Sequence, residues 1–394
     1  MTALKREALG DVAAVDAALT EIELGLDLLL NLTPVNAAEA WTDFEKNGFA
    51  TVPTLRSRPL DFEPDVVLRD LYAIEIERVE EPALAELFRD KRDEIARQVV
   101  LLKDRDTSRF LHGSIQLFGE VGDGLVEDAH ALLKAIPNDV VPDRRVTAAG
   151  FAEAAQEELD LYRDAYPGFA QELEVRSDVS DLMVSHGRLV IPAAANFRRG
   201  RVQPLIQHEV GTHIVTFANG SAQPLSLLTV GLPGYEETQE GLAVLAEYAV
   251  DGLDPLRLRL LAGRVLAVKG VIEGASFLDV FEELHGEHGF NAKTAWGVTI
   301  RVTRSGGLTK DVIYLRGISR VLEFVAERKD LSPLLVGKLS LEHVPLIEEL
   351  LESGFLKPPW IQPRWIDMPV ARDRLKRAYE GLSVTELLDG KDQR

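Results

Sequence analysis

The sequence predicts an α+β fold that is predominantly helical, with a small β-sheet beside one short, motif-bearing helix. Three observations lead there. Apolar residues recur at the three-and-four spacing of an amphipathic helix over most of the 394 residues. Period-two patterning is confined to a few short stretches, the clearest between residues 173 and 191. The run Pro137-Asn138-Asp139-Val140-Val141-Pro142-Asp143 sets two prolines and several turn formers between helical segments, which is the composition of a linker.

Taken in order, residues 4–31 carry helical apolar spacing, and Asn36 is placed to cap a second helix that runs through Phe44 and ends at Gly48. Leu71-Tyr72-Ala73-Ile74-Glu75-Ile76-Glu77 alternates in part, as a strand does. Pro82 fits the first turn of a long helix over 82–102, and another helix follows over 125–136. Residues 1–140 therefore read as a mostly helical region with one or two strands, and residues 141–394 as a second region that holds the catalytic candidates. There, a helix over 148–166 leads to Leu173-Glu174-Val175. Leu182-Met183-Val184-Ser185 and Arg188-Leu189-Val190-Ile191 then form a β-hairpin turning at His186-Gly187. Helical spacing resumes over 239–250, 255–268, 276–285, 293–302, 311–325 and 336–353. Prolines at 358, 359 and 363 interrupt it before a last helix over 371–379. There is no repeat and no low-complexity tract.

Composition narrows the class of function. Apolar residues make up 46% of the chain, enough for a sizeable core. The net charge of −20 and pI near 4.9 argue against duplex nucleic acid or an anionic membrane as partner, and solubility explains them simply. With no cysteine, there can be no disulfide framework and no thiolate metal site, so a metal would be held by nitrogen and oxygen. Acidic residues at Asp11, Asp16 and Glu21 leave no signal-peptide core, and apolar clusters such as Leu28-Leu29-Leu30 are too short to span a bilayer. A soluble cytoplasmic protein is expected.

The chemistry is concentrated in His208-Glu209-Val210-Gly211-Thr212-His213, followed 27 residues later by Glu240-Gly241-Leu242-Ala243. Zinc peptidases commonly carry two histidines four apart on one helix, with a glutamate acting on the zinc-bound water. Here the spacing is five, an angular offset of about 140° in a regular helix rather than about 40°. A π-bulge absorbs one residue and restores the alignment. Gly211 makes that irregularity cheap, so a bulged or broken turn is expected over residues 209–212. Without a metal, burial of this helix would strand two imidazoles and a carboxylate in the core.

A catalytic zinc keeps three protein ligands. His208 and His213 need one more donor, and Glu240 is the choice, with Glu236 and Glu237 as rivals. Thr238 is read as the cap of a helix whose first turn holds Glu240, where the dipole favours an ionised carboxylate. Gly241 and Ala243 permit close helix approach, and Glu247 is placed to orient a ligand histidine. One Zn2+ per chain is expected, with Glu209 as general base. Tyr235, Tyr248 and Tyr314 are the candidate oxyanion donors.

These segments, with Asn196-Phe197, Asn219-Gly220, Gln223-Pro224-Leu225, Gln239-Glu240-Gly241-Leu242-Ala243 and Thr309-Lys310-Asp311, resemble the QEGLA-motif family. It is related to the tubulin tyrosine carboxypeptidases of the MATCAP group. The resemblance covers residues 20–385 or thereabouts. It implies a zincin-like catalytic domain, with His208, His213 and Glu240 as ligands and Glu209 as acid/base. A carboxypeptidase must also clamp a terminal carboxylate. Between residues 182 and 208 there is no acidic residue, and Arg188, Arg198, Arg199 and Arg201 lie there; Lys310 and Arg316 form a second basic group. Residues 188–191 are read as a strand able to pair with an extended peptide. The acidic chain itself argues against a strongly acidic tail such as tubulin's as substrate. The resulting expectation is a zinc metallopeptidase of the carboxypeptidase type, acting on a peptide or protein C-terminus. Two other readings stay open: a non-catalytic metal-containing binding or regulatory protein, and a zinc amidohydrolase on small substrates. The sequence does not reveal an oligomeric state.

Overall fold

Helices occupy the stretches where apolar spacing runs long, and among the described residues strands are confined to 145–198. The computed structural model describes residues 6–138, 144–179 and 181–388. Over these the chain is predominantly helical with two small sheets. Among the described residues, no helix is long and apolar enough to cross a membrane. Contacts divide the chain into two compact units. Among the described residues, one, the motif unit, gathers residues 144–255 and 316–388; the other gathers Arg6–Asn138 and Leu256–Leu315. Residues 256–315, which the sequence grouped with the catalytic region, thus cluster with the N-terminal helices. Residues 139–143 of the expected linker, like residues 4 and 5 of the expected first helix, lie outside the described residues.

The motif unit contains β1 (Arg145–Thr147), β2 (Leu173–Arg176), β3 (Met183–Ser185), β4 (Arg188–Pro192) and β5 (Asn196–Arg198). β1 pairs antiparallel with β5, and the other sheet has the order β2-β4-β3, with β2 parallel and β3 antiparallel to β4. The β3–β4 hairpin turns at His186 and Gly187, both at positive φ, with Ser185 opposite Arg188. Leu189, Val190 and Ile191 are all buried, as a strand covered on both faces requires. Leu189 and Ile191 pack with Phe151, Leu159 and Tyr162 of the helix Ala148–Ala165, and with Ile206, Val210 and Ile214 of the motif helix, in one core. This arrangement corrects the expectation that residues 188–191 receive a peptide. β4 is the central strand, and both of its edges already carry ladder partners.

In the second unit the helices Arg6–Leu26 and Pro82–Lys103 pack together, and Lys91, fully buried, bridges Glu23 and Glu94 at 3.1 and 2.7 Å. Phe44 meets Phe49, Phe277, Phe281 and Trp296 at ring-centroid distances of 4.9–5.5 Å. The expected strand over 71–77 is instead the end of the helix Pro64–Tyr72 followed by a 3-10 turn Ile76–Arg78. Leu71 and Ile76 are both fully buried. An odd spacing of five would put them on opposite faces of a strand, whereas a helix end and a turn bring both inward. Among the described residues this unit has no strand.

Asp311 anchors the second unit's polar interior. Arg301 donates to its two oxygens at 2.8 and 2.7 Å, and Arg264 Nε stands 3.5 Å away. Burial would raise the Asp311 pKa, but the attraction of Arg301 and Arg264 overrides it and holds the carboxyl well below the usual range. Asp311→Asn should therefore cost about 3–5 kcal/mol, because it leaves buried cations uncompensated; chemical denaturation measures this. For a depressed folded pKa, the stabilisation is complete above the unfolded value of about 4 and is lost as pH falls towards the folded one. The gap between wild type and variant should accordingly be constant near neutrality and close only in acid.

Candidate metal centre

The motif helix begins as α-helix at Val202–His208, widens into a π-helical turn at Glu209–Ile214 and closes as α-helix at Val215–Ser221. The wider turn brings the two imidazoles together, with ring centroids 5.0 Å apart and planes 79° to each other. Side chains satisfy carbonyls that such a turn frees from the regular ladder. The Thr212 hydroxyl donates to the Gln207 carbonyl at 3.1 Å, and the Trp365 indole N–H to the Gly211 carbonyl at 3.2 Å. A Cβ on Gly211 would lie 2.6 Å from Gln207 Oε1 and 2.9 Å from the Trp365 ring. Glycine is thus needed here for close packing as well as for backbone freedom.

Glu240 comes from the neighbouring helix Tyr235–Ala249. Its Oε2 stands 3.5 Å from His208 Nε2 and 3.9 Å from His213 Nε2, and one donor atom from each residue lies within 4.8 Å of the others. Ligand atoms around a tetrahedral zinc at about 2.0–2.1 Å are separated by about 3.4 Å. The donor set and its spacing therefore fit a mononuclear ion. The field fits as well. Burial opposes the charged form of His208, but hydrogen bonding to Glu240 and Glu247 and the charge of Glu209 prevail and raise its pKa. At His213 burial wins over the attraction of Glu240, helped by repulsion from His208 and Lys338, and the pKa falls. The three carboxylates thus favour one positive charge in the cluster, and a metal ion satisfies the same demand.

The ring of His208 is fixed from behind. Its Nδ1 lies 2.8 Å from Glu247 Oε1, Arg201 donates to the other Glu247 oxygen at 2.6 Å, and the same guanidinium donates to the Gly252 carbonyl at 2.6 Å. Glu247 is fully buried and Arg201 nearly so. The Thr216 hydroxyl, one helical turn beyond Thr212, lies 2.7 Å from Gln239 Oε1 and 2.9 Å from the Thr212 carbonyl, and its single proton is shared between these two acceptors. The motif helix and the Glu240 helix are thereby stitched together beside the cluster.

The Glu240 helix starts earlier than expected. Gly234, at φ +67°, precedes its first residue, so Glu240 sits in the second turn. Thr238 is no cap: its hydroxyl accepts from the Leu341 N–H at 3.1 Å. Gly241 rests on Gly317, where a Cβ would lie 2.3 Å from the Gly317 carbonyl. Gly241→Ala should force the backbones apart, cost about 1–3 kcal/mol and weaken metal binding by displacing Glu240. A melting temperature and zinc affinity equal to wild type would show that this contact does not position the ligand.

Of the other residues singled out in the sequence, most are engaged elsewhere. Arg188 is exposed and pairs with Glu172 and Glu174 on the sheet. Arg198 pairs with Asp254 at 2.5 Å, and Arg199 is exposed in a 3-10 turn beyond β5. Arg201 holds Glu247, as above. Arg316 binds Glu237, which Arg320 also holds at 2.8 Å, so this rival ligand is committed to arginines. Lys310 is buried with its ammonium 5.4 Å from the Phe118 ring centre, and Tyr314 lies under Arg264 and Arg257; all five belong to the second unit. Tyr248 is fully buried beneath Arg374. Tyr235, the first residue of the Glu240 helix, remains partly exposed. The sequence reading missed Trp365, Thr216 and Lys338, since each acts through a contact distant in the chain.

Two imidazoles and a carboxylate converging on one point, backed by a buried carboxylate and arginine, define a helical protein with a candidate mononuclear metal centre. The family described as microtubule-associated tyrosine carboxypeptidase matches residues 42–382, and the chain belongs to that family. Its description is that of a peptidase. Comparison with curated proteins finds no match.

Proposed function

We propose that this protein is a zinc-dependent carboxypeptidase with a zincin-like catalytic region, removing a C-terminal residue from a peptide or protein. The observation that carries this reading is the convergence of His208, His213 and Glu240 on the π-turn that also bears Glu209. When bound by the three ligands, zinc supplies a Lewis acid and makes a water acidic enough to react near neutral pH. Glu209 takes the proton from the attacking water and delivers it to the departing amine. Glu247 keeps His208 turned so that Nε2 faces the cluster, and Arg201 keeps Glu247 in place. Tyr235 is the proposed donor to the developing oxyanion.

The family's description adds tyrosine as the residue removed. The net charge of −20 favours a C-terminal segment less acidic than the chain itself. A cytoplasmic location belongs to the same proposal, as a chain without cysteine suits a reducing compartment. Mass spectrometry of N-blocked peptides ending in tyrosine or in other residues tests it. Loss of the single C-terminal residue, stopped by a chelator and restored by added zinc, is the expected result. Internal cleavage alone, or activity indifferent to chelation, would refute the proposal.

A further inference from the structure

Lys338 stands at the rim of the candidate centre, outside the set of basic residues the sequence suggested. Its Nζ lies 5.6 Å from the ring centroids of both Phe217 and Tyr235. These two rings locate it. Phe217 follows His213 by four residues, one turn further along the same helix face. Tyr235 opens the helix that carries Glu240. The lysine's backbone is pinned at both ends: its N–H donates to the Leu228 carbonyl at 2.8 Å, and its carbonyl accepts from the Leu232 N–H at 2.9 Å. Gly337 just before it is pressed on the same Leu228 carbonyl, where a Cβ would come within 2.7 Å. Three residues later Leu341 is tied to Thr238, so the segment runs beside the first turn of the Glu240 helix.

Exposure sharpens the picture. His213, Phe217, Tyr235, Glu240 and Lys338 are each partly exposed, whereas Ile214, Thr216, Ala218, Thr238 and Gln239 next to them in sequence are buried. The two partly exposed rings that flank the Lys338 ammonium come from the continuous helical run that carries His213 and from the helix that carries Glu240. Two aromatic faces attract and orient such an ammonium without removing its charge. A lysine offers a compact point charge suited to a carboxylate that must enter and leave.

Resting on the carboxypeptidase reading above, we infer that Lys338 is a substrate-binding residue that receives the C-terminal carboxylate of the peptide. The carboxylates of Glu209 and Glu240 repel a substrate anion from the cluster itself, and Lys338 gives that anion a place beside it. This sets which end of a peptide can approach, and so makes the enzyme an exopeptidase.

The test uses zinc-loaded Glu209→Gln protein, full length, titrated calorimetrically with N-acetyl-tyrosine and with N-acetyl-tyrosinamide. The acid should bind more tightly than the amide. Adding Lys338→Met should weaken the acid by about 10- to 100-fold, as loss of a charged hydrogen-bond partner does, and leave the amide within about twofold. Lys338→Arg should recover much of the preference. In otherwise wild-type enzyme, Lys338→Met should raise KM for a free-carboxylate peptide with kcat little changed. Equal weakening of acid and amide, or a fall in kcat at constant KM, would overturn the assignment. If C-terminal cleavage occurs but Lys338→Met and Lys338→Arg both keep the full preference for the acid, the inference fails and the carboxypeptidase reading stands. If protein with Lys338 intact neither prefers the acid nor trims peptides, both fall together.

Discussion

Glu209→Gln should lower turnover of a C-terminally free peptide by about 10²–10⁴-fold while zinc stays bound. Glutamine is nearly isosteric with glutamate and keeps the π-turn packed, but it cannot accept a proton from the attacking water. Glu209 is only 7% exposed and its charge is felt at His208. It therefore occupies the cluster's own surroundings and is no solvated surface acid. Metal content measured beside kcat separates the possible outcomes. Zinc retained with turnover lost marks a proton-transferring group. Zinc retained with turnover intact would make Glu209 dispensable and return the centre to a structural role. A loss of both would point to damage in the turn, which a melting curve detects.

The part of this site legible in the sequence was the part written in local spacing. Histidines five apart on a helical pattern demand one extra residue per turn, and the turn at Glu209–Ile214 provides it. The tight turn at His186-Gly187 was equally readable, because few dipeptides adopt positive φ at both positions. What escaped was fixed by distant parts of the chain. The indole that satisfies Gly211 comes from residue 365, and the contact that sets the Glu240 helix comes from Gly317. The sequence offered Arg201 as a clamp for a substrate carboxylate, yet it lies buried against Glu247. A guanidinium's exposure depends on where a carboxylate 46 residues away is folded, and local pattern holds no information on that.

Several of the family-like segments have a similar explanation. Asn219 holds two chain segments at once: its amide donates to the Leu335 and Ile361 carbonyls at 2.7 and 2.9 Å, and its oxygen accepts from the Ile361 N–H at 2.9 Å. Gln223 exchanges two hydrogen bonds with the backbone of Lys357. Gly220 meets the Leu228 carbonyl, where a Cβ would lie at 2.2 Å. These residues close the end of the motif helix against the segment that contains Lys338. They serve the site by fixing its frame, and substrate need not touch them.

His213→Ala and Glu240→Ala should each abolish stoichiometric zinc binding and, with it, all hydrolysis. Removing one of three donors leaves two, and the usual catalytic site needs three. Glu237→Ala is the informative companion. Glu237 lies three residues earlier on the same helix but is held by Arg316 and Arg320, so its loss should cost helix packing and leave zinc in place. Glu247→Gln should fall between, weakening zinc by about 10–100-fold, because a neutral amide orients His208 less firmly than a buried carboxylate does. Elemental analysis of protein purified without a metal-affinity tag, with zinc affinity measured by competition against a chelator, gives the order directly. Zinc lost in Glu237→Ala but kept in Glu240→Ala would move the third ligand by one helical turn. Zinc kept in His213→Ala would mean that the π-turn aligns the two imidazoles for some purpose other than sharing an ion.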